Sequence, residues 1–141
     1  MNTNKFLLAG VVAGIAFFFA GWVVYGMLLM DFMKNHSTPA AQALNKTEMV
    51  WWALIAGNLI TGLFYAYIFE KWAKIRTLTG GAIAGATIGF FIAVYMDLQF
   101  YAMYNMMEGL IAYVVDVVAA TVMSAITGGV AGFMLGFNRT E

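Results

Sequence analysis

The sequence predicts an all-α integral membrane protein: a four-helix bundle with both termini cytoplasmic (N-in/C-in). Three observations predict it. The chain is 63% hydrophobic and 10% charged, whereas soluble domains average about 25% charged residues. Four runs contain no Asp, Glu, Lys or Arg: Phe6 to Met30, Met49 to Phe69, Thr77 to Met96 and Val117 to Asn138. Each reaches the roughly 20 residues a helix needs to cross a bilayer. Finally, small residues recur every four positions in the last two runs. Gly81, Gly85, Gly89 and Ala93 lead to Asp97; Ala120, Ser124, Gly128, Gly132 and Gly136 follow Asp116. Residues four apart share one helix face, and small residues there let membrane helices approach closely.

The four runs predict helices over about 6–30, 49–70, 78–100 and 110–137, in one transmembrane domain covering 1–141. Helix one carries a weaker small face, with Ala9, Gly10, Ala13 and Gly14. Its 25-residue run exceeds the apolar core of a cleaved signal peptide, so it reads as a retained span. Between helices one and two, Ser37-Thr38-Pro39 and the following Ala-Ala-Gln-Ala-Leu predict a cap, a first-turn proline and a short interfacial helix that ends near Asn45. Thr47 and Glu48 predict the start of helix two, since a cap and an acid suit the positive helix end. The second connection, residues 70–77, holds Lys71, Lys74 and Arg76; the third, residues 104–109, has no basic residue. Basic loops stay in the cytoplasm. With Lys5 and Arg139 on the same side, five basic residues lie inside and two, Lys34 and Lys46, outside. Trp51, Trp52, Tyr101 and Tyr104 then form an outer aromatic belt and Trp72 an inner one.

The stripes locate the polar chemistry. A hairpin turning at Glu108-Gly109 sets Gly85 opposite Gly132, Gly89 opposite Gly128 and Ala93 opposite Ser124. It also sets Asp97 opposite Ala120 and Tyr101 opposite Asp116, leaving the acids offset by roughly 6 Å at 1.5 Å per residue. The predicted consequence is tight packing through Gly81, Gly85, Gly89, Gly128, Gly132 and Gly136 near the cytoplasm, and a cleft opening outward. Asp97, Asp116, Tyr101, Asn58, and Tyr95 or Tyr104 would wall it, with the Tyr101 hydroxyl donating to Asp116. Two readings of the acids stay open. Either they are hydrated structural residues at the interface, or they bind a proton, a cation or a small polar ligand. Two nearby carboxylates resist double ionisation and so invite a shared proton or cation.

Other chemistry finds little footing. Zero net charge and the absence of a basic patch argue against a nucleic-acid partner. The chain has no cysteine, so thiolate metal sites and cysteine nucleophiles are excluded. His36, the one histidine, reads as a solvated loop residue, and Ser124 has no base nearby. Neither metal nor cofactor is expected, and no enzyme.

Tyr95-Met-Asp97-Leu, Tyr101-Ala, Asn105, and Asp116 ahead of an Ala/Thr/Gly-rich helix resemble a group of small bacterial four-helix membrane proteins of unknown function. Phe17-Phe-Phe-Ala-Gly-Trp-Val-Val-Tyr-Gly-Met-Leu is similar to the first helix of a related uncharacterised family. The general style resembles Bacteroidetes-type proteins. The resemblance implies four helices in a bacterial inner membrane and supplies no activity. The expected function is binding or transport of a proton, cation or small polar ligand through the outward cleft. The alternative is a non-catalytic accessory or scaffold subunit. Small-residue faces on helices one and three also suit a homodimer or another membrane partner.

Overall fold

The computed structural model describes residues 2–137. Asn138, the end of the fourth apolar run, and Arg139, counted above among the inner charges, lie outside the described residues. The chain is 84% helical, without a strand among the described residues. Four helical stretches are long and apolar enough to cross a membrane: Thr3–Leu28, Trp51–Ala73, Leu78–Met103 and Leu110–Gly136. Only 22–33% of an apolar 18-residue window in each is buried. The outward surface is therefore Leu, Ile, Val, Phe and Trp, as lipid contact requires. Thr61, Thr87, Thr121 and Thr127 each donate their hydroxyl to the carbonyl one turn back, which satisfies them without water.

Helix α1 spans Thr3–Val23 and runs on through a wider π turn, Val24–Leu28. It begins earlier than its apolar run because Asn2 caps it, accepting from the Asn4 and Lys5 amides. It also stops short of residue 30. Leu29 leaves helical geometry, and a separate helix that the sequence did not announce, α2, takes Met30–His36. Next comes α3, Pro39–Ala43, with Thr38 accepting from the Ala41 amide and Pro39 in its first turn. Helix α4, Trp51–Ile68, starts later than expected. Neither Thr47 nor Glu48 caps it; Val50 holds the cap position without a side-chain bond. A second π turn, Phe69–Ala73, extends α4 past Glu70, and Lys74 ends it in the left-handed conformation at φ 54°. Thr77 caps α5, Leu78–Met103, and Gly109 at φ 79° leads into α6, Leu110–Gly136. That positive φ is where glycine's freedom is needed.

The helices pack as two antiparallel pairs, α1 with α4 and α5 with α6, joined where α1 meets α6. Both pairs close backbone to backbone. A Cβ on Gly62 would strike the Gly10 carbonyl and the Gly14 amide, and one on Gly14 would lie 2.8 Å from the Leu59 Cα. In the other pair, a Cβ on Gly128 would meet the Gly81 carbonyl and lie 2.8 Å from the Gly85 Cα. Gly89 packs on the Ser124 side chain, and Gly136 on the Arg76 carbonyl. The core of Ala9, Ala13, Tyr65, Ala66, Phe69, Ala131 and Leu135 occupies the half of the molecule that holds both chain ends. There Lys5 Nζ donates to the Phe137 carbonyl at 2.9 Å.

The opposite end is closed by a backbone clip. Thr38 N donates to the Met106 carbonyl at 3.1 Å, and Glu108 N to the His36 carbonyl at 2.6 Å. Thr38 Oγ1 adds a bond to the Asn105 carbonyl at 2.6 Å. The clip holds the α5–α6 connection, residues 104–109, extended.

This connection corrects the expected register. Gly85 stands against Gly128 and not Gly132; Gly81 stands against Gly132; Gly89 stands against Ser124 and not Gly128. The shift is one helical turn. Its cause is the loop: α5 continues to Met103 and α6 starts at Leu110, so the turn centres on Met106-Met107 rather than Glu108-Gly109. Moving the centre by two residues moves every facing pair by four.

Candidate functional site

The corrected register brings Asp97 level with Asp116. Helices α4 and α5 make little direct contact, because α1 and α6 stand between the two pairs. The gap between α4 and α5 is a cleft of about 530 Å³ in the loop half of the molecule, lined by all four long helices. Its floor carries Phe17 and Tyr25 from α1 and Asp116, Ala120, Met123 and Ser124 from α6. Its sides carry Thr61, Phe64 and Tyr65 from α4 and Gly89, Ala93, Met96, Asp97 and Phe100 from α5. Ala93 and Ala120 line this space with single-carbon side chains, which leaves it unfilled.

Asp116 is partnered. The Tyr25 hydroxyl donates to its Oδ1 at 2.7 Å. Tyr25 reaches it from the turn where α1 widens into π geometry, a feature that recurs at functional sites. Asp97 is not partnered. The residue is 8% exposed, and its Oδ2 is fully enclosed with no hydrogen-bond donor among the described residues. A buried carboxylate oxygen without a donor is costly. The flanking polar groups do not repair it. Thr61 spends its hydroxyl on the Gly57 carbonyl, and Ser124, 7% exposed, lies against Gly89.

The structure separates the other sequence-predicted residues from this site. Tyr101 does not reach Asp116; it packs edge-on against Tyr113 at 5.6 Å, on the far face of the α5–α6 pair. The one-turn register shift is the reason. A second, apolar groove of about 410 Å³ lies on that face, and Asp97 borders it too, beside Tyr101. Asn58 lies in the α1–α4 interface. Its amide donates to the Leu54 carbonyl at 2.7 Å, and it borders grooves between α1 and α4 rather than the cleft. Tyr104 sits beyond the end of α5, exposed, against Phe100 at 6.1 Å. Tyr95 is exposed as well. His36 stacks on Phe32 and its ring Nδ1 lies 2.8 Å from the Phe32 carbonyl, away from the cleft.

Sequence reasoning missed Tyr25, Thr61 and Tyr65. Tyr25 lies four residues beyond Gly21 on an apolar span, so only its aromatic hydroxyl could have drawn notice. No three of the His, Asp and Glu side chains among the described residues gather closely enough to hold a metal ion. Set against protein-family models, curated proteins and solved structures, the chain matches none.

Proposed function

We propose that this is a multi-pass membrane protein that binds a proton or a monovalent cation between Asp97 and Asp116, and acts by binding or transport rather than catalysis. The observation that carries the reading is Asp97 Oδ2, enclosed and donorless in a residue that is 8% exposed. An acid in such a place calls for a counter-charge. Asp116 lines the same cleft and already accepts from Tyr25, so it adds negative charge without supplying a donor. A proton or a cation answers both residues at once.

The proposed setting is a bacterial inner membrane, as a four-helix bundle with both termini in the cytoplasm. Lys5, Lys71, Lys74 and Arg76 belong to the end that holds the chain ends, and Lys34 and Lys46 to the other, which favours that orientation. The cleft then opens toward the outer half, with α2 and α3 at the outer interface.

The test is Asp97→Asn in detergent micelles, with melting followed as pH and sodium concentration are varied. The parent's melting temperature is expected to depend on at least one of them, and the variant's dependence to be largely lost while its helix content is kept. If parent and variant melt alike at every pH and salt, the acids are structural and the reading fails.

A further inference from the structure

We infer that the ligand of this cleft is an organic cation with an aromatic or otherwise apolar body, its charged head at Asp97 and its body lodged between α1 and α4. The inference rests on the cation-binding reading and names the class of cation.

Three observations carry it. The first is the shortage of oxygen. A hard inorganic cation takes about six or more oxygen ligands, whereas this cleft presents two carboxylates, one of them engaged by Tyr25, in an otherwise mainly apolar lining. A single ammonium head needs only one unpaired carboxylate, and Asp97, which lines the cleft and whose Oδ2 has no donor among the described residues, is that carboxylate.

The second is size and lining. The cleft's volume of about 530 Å³ lies in the range of small-molecule pockets, roughly 300–1,000 Å³. It far exceeds what a bare ion occupies. Phe64 of α4 and Phe100 of α5 both line it. Aromatic faces attract organic cations and strengthen that attraction when water is excluded.

The third is continuity. Phe17 and Tyr25, which wall the cleft, also wall a groove of about 780 Å³ that runs between α1 and α4 toward Trp22 and Trp51. The two helices touch through glycines at Gly10, Gly14 and Gly62 and splay apart beyond them. Trp22 and Trp51 are 59% and 55% exposed. Aromatic residues at a membrane interface hold amphipathic groups at headgroup depth. The groove therefore links that depth to the acids, a route suited to a molecule with a greasy body and one positive charge.

The experiment is titration calorimetry on the full chain in detergent micelles, with benzyltrimethylammonium, its neutral isostere neopentylbenzene, and tetramethylammonium. Saturable binding of benzyltrimethylammonium is expected, tighter than tetramethylammonium by about tenfold or more, the equivalent of one good aromatic contact. Neopentylbenzene is expected to show no saturable site. Asp97→Asn is expected to weaken benzyltrimethylammonium by about tenfold or more through loss of the charge attraction, Asp97→Glu to restore part of the affinity, and Phe17→Leu to weaken it. Equal affinities for the two cations, both lost in Asp97→Asn, overturn this inference and leave the cation-binding reading standing. Equal binding of the neutral isostere overturns the inference by removing charge from recognition. Absence of binding by either cation, or benzyltrimethylammonium binding untouched in Asp97→Asn, overturns this inference, while the dependence of melting on pH and sodium decides the broader reading by itself. Should Asp97→Asn fail to fold, the ranking of the three probes on the parent protein decides the matter alone.

Discussion

A methyl group added at Gly128 tests how the α5–α6 pair holds the acids level. In Gly128→Ala the new Cβ lies 2.8 Å from the Gly85 Cα and 3.1 Å from its amide nitrogen, with the Gly81 carbonyl nearer still. All three are backbone atoms, so no rotamer change relieves the clash. Bringing the Gly85 contact from 2.8 Å out to the 3.4 Å where ordinary contact begins requires the helices to part by at least about 0.6 Å, and the nearer Gly81 carbonyl demands more. A gap of that size forfeits about a quarter or more of the dispersion energy of the contacts it opens. Overpacking of this kind costs about 1–3 kcal/mol. Gly57→Ala is the matched control, because a Cβ at Gly57 meets nothing within 4 Å. It gains helix propensity, worth up to about 1 kcal/mol. Gly128→Ala makes the same gain, so the two variants are expected to separate by the overpacking cost alone, about 1–3 kcal/mol, with Gly57→Ala at or above the parent. Far-UV circular dichroism during unfolding in micelles reads the difference. Gly128→Ala melting at or above Gly57→Ala would show that the glycine faces are not in backbone contact.

Three further outcomes are expected. Thr38→Ala removes both the α3 cap and the bond to the Asn105 carbonyl, at a cost of about 1–2 kcal/mol. Hydrogen exchange should rise at Ala41 and at Thr38 itself before it rises in the long helices. Arg76→Ala leaves Glu70, 7% exposed, without the guanidinium that pairs with it at 3.3 Å. Stability should fall by about 1–3 kcal/mol, and Glu70→Gln in the same background should recover part of it. Cysteine at Ala73 should be labelled by an impermeant maleimide only after the membrane is opened; labelling of intact cells would reverse the proposed orientation.

Much of the architecture was legible because it follows from local chemistry. Four uncharged runs of bilayer length become four long apolar helices, since a chain without water must bond its own backbone. The Pro39 helix was likewise readable, because a cap and a first-turn proline act within a few residues. Misses came where a boundary depends on a distant partner. In the sequence Glu70 reads as the boundary, the last residue of helix two and the first of the connection, whereas the helix runs on to Ala73. It runs on because Arg76 folds back onto Glu70 and Lys74 turns the chain at positive φ. The acidic residue Glu48 suggested a helix start, yet α4 waits until Trp51.

The candidate site divides the same way. A four-residue repeat ending in an acid is a property of one helix, so the stripes and their two carboxylates could be read from the chain alone. Which rung of one stripe meets which rung of the other could not. The repeat offers several equally smooth registers, each one turn apart, and single-helix periodicity does not choose among them. The loop chooses, clipped open by His36 and Thr38 from a segment some 70 residues upstream. That choice moved Tyr101 away from Asp116, set Asp97 level with it, and let Tyr25 supply the hydroxyl. Hydrophobicity and spacing act within a helix; register and partnership are settled between helices, where closing the loop and excluding lipid select one alignment.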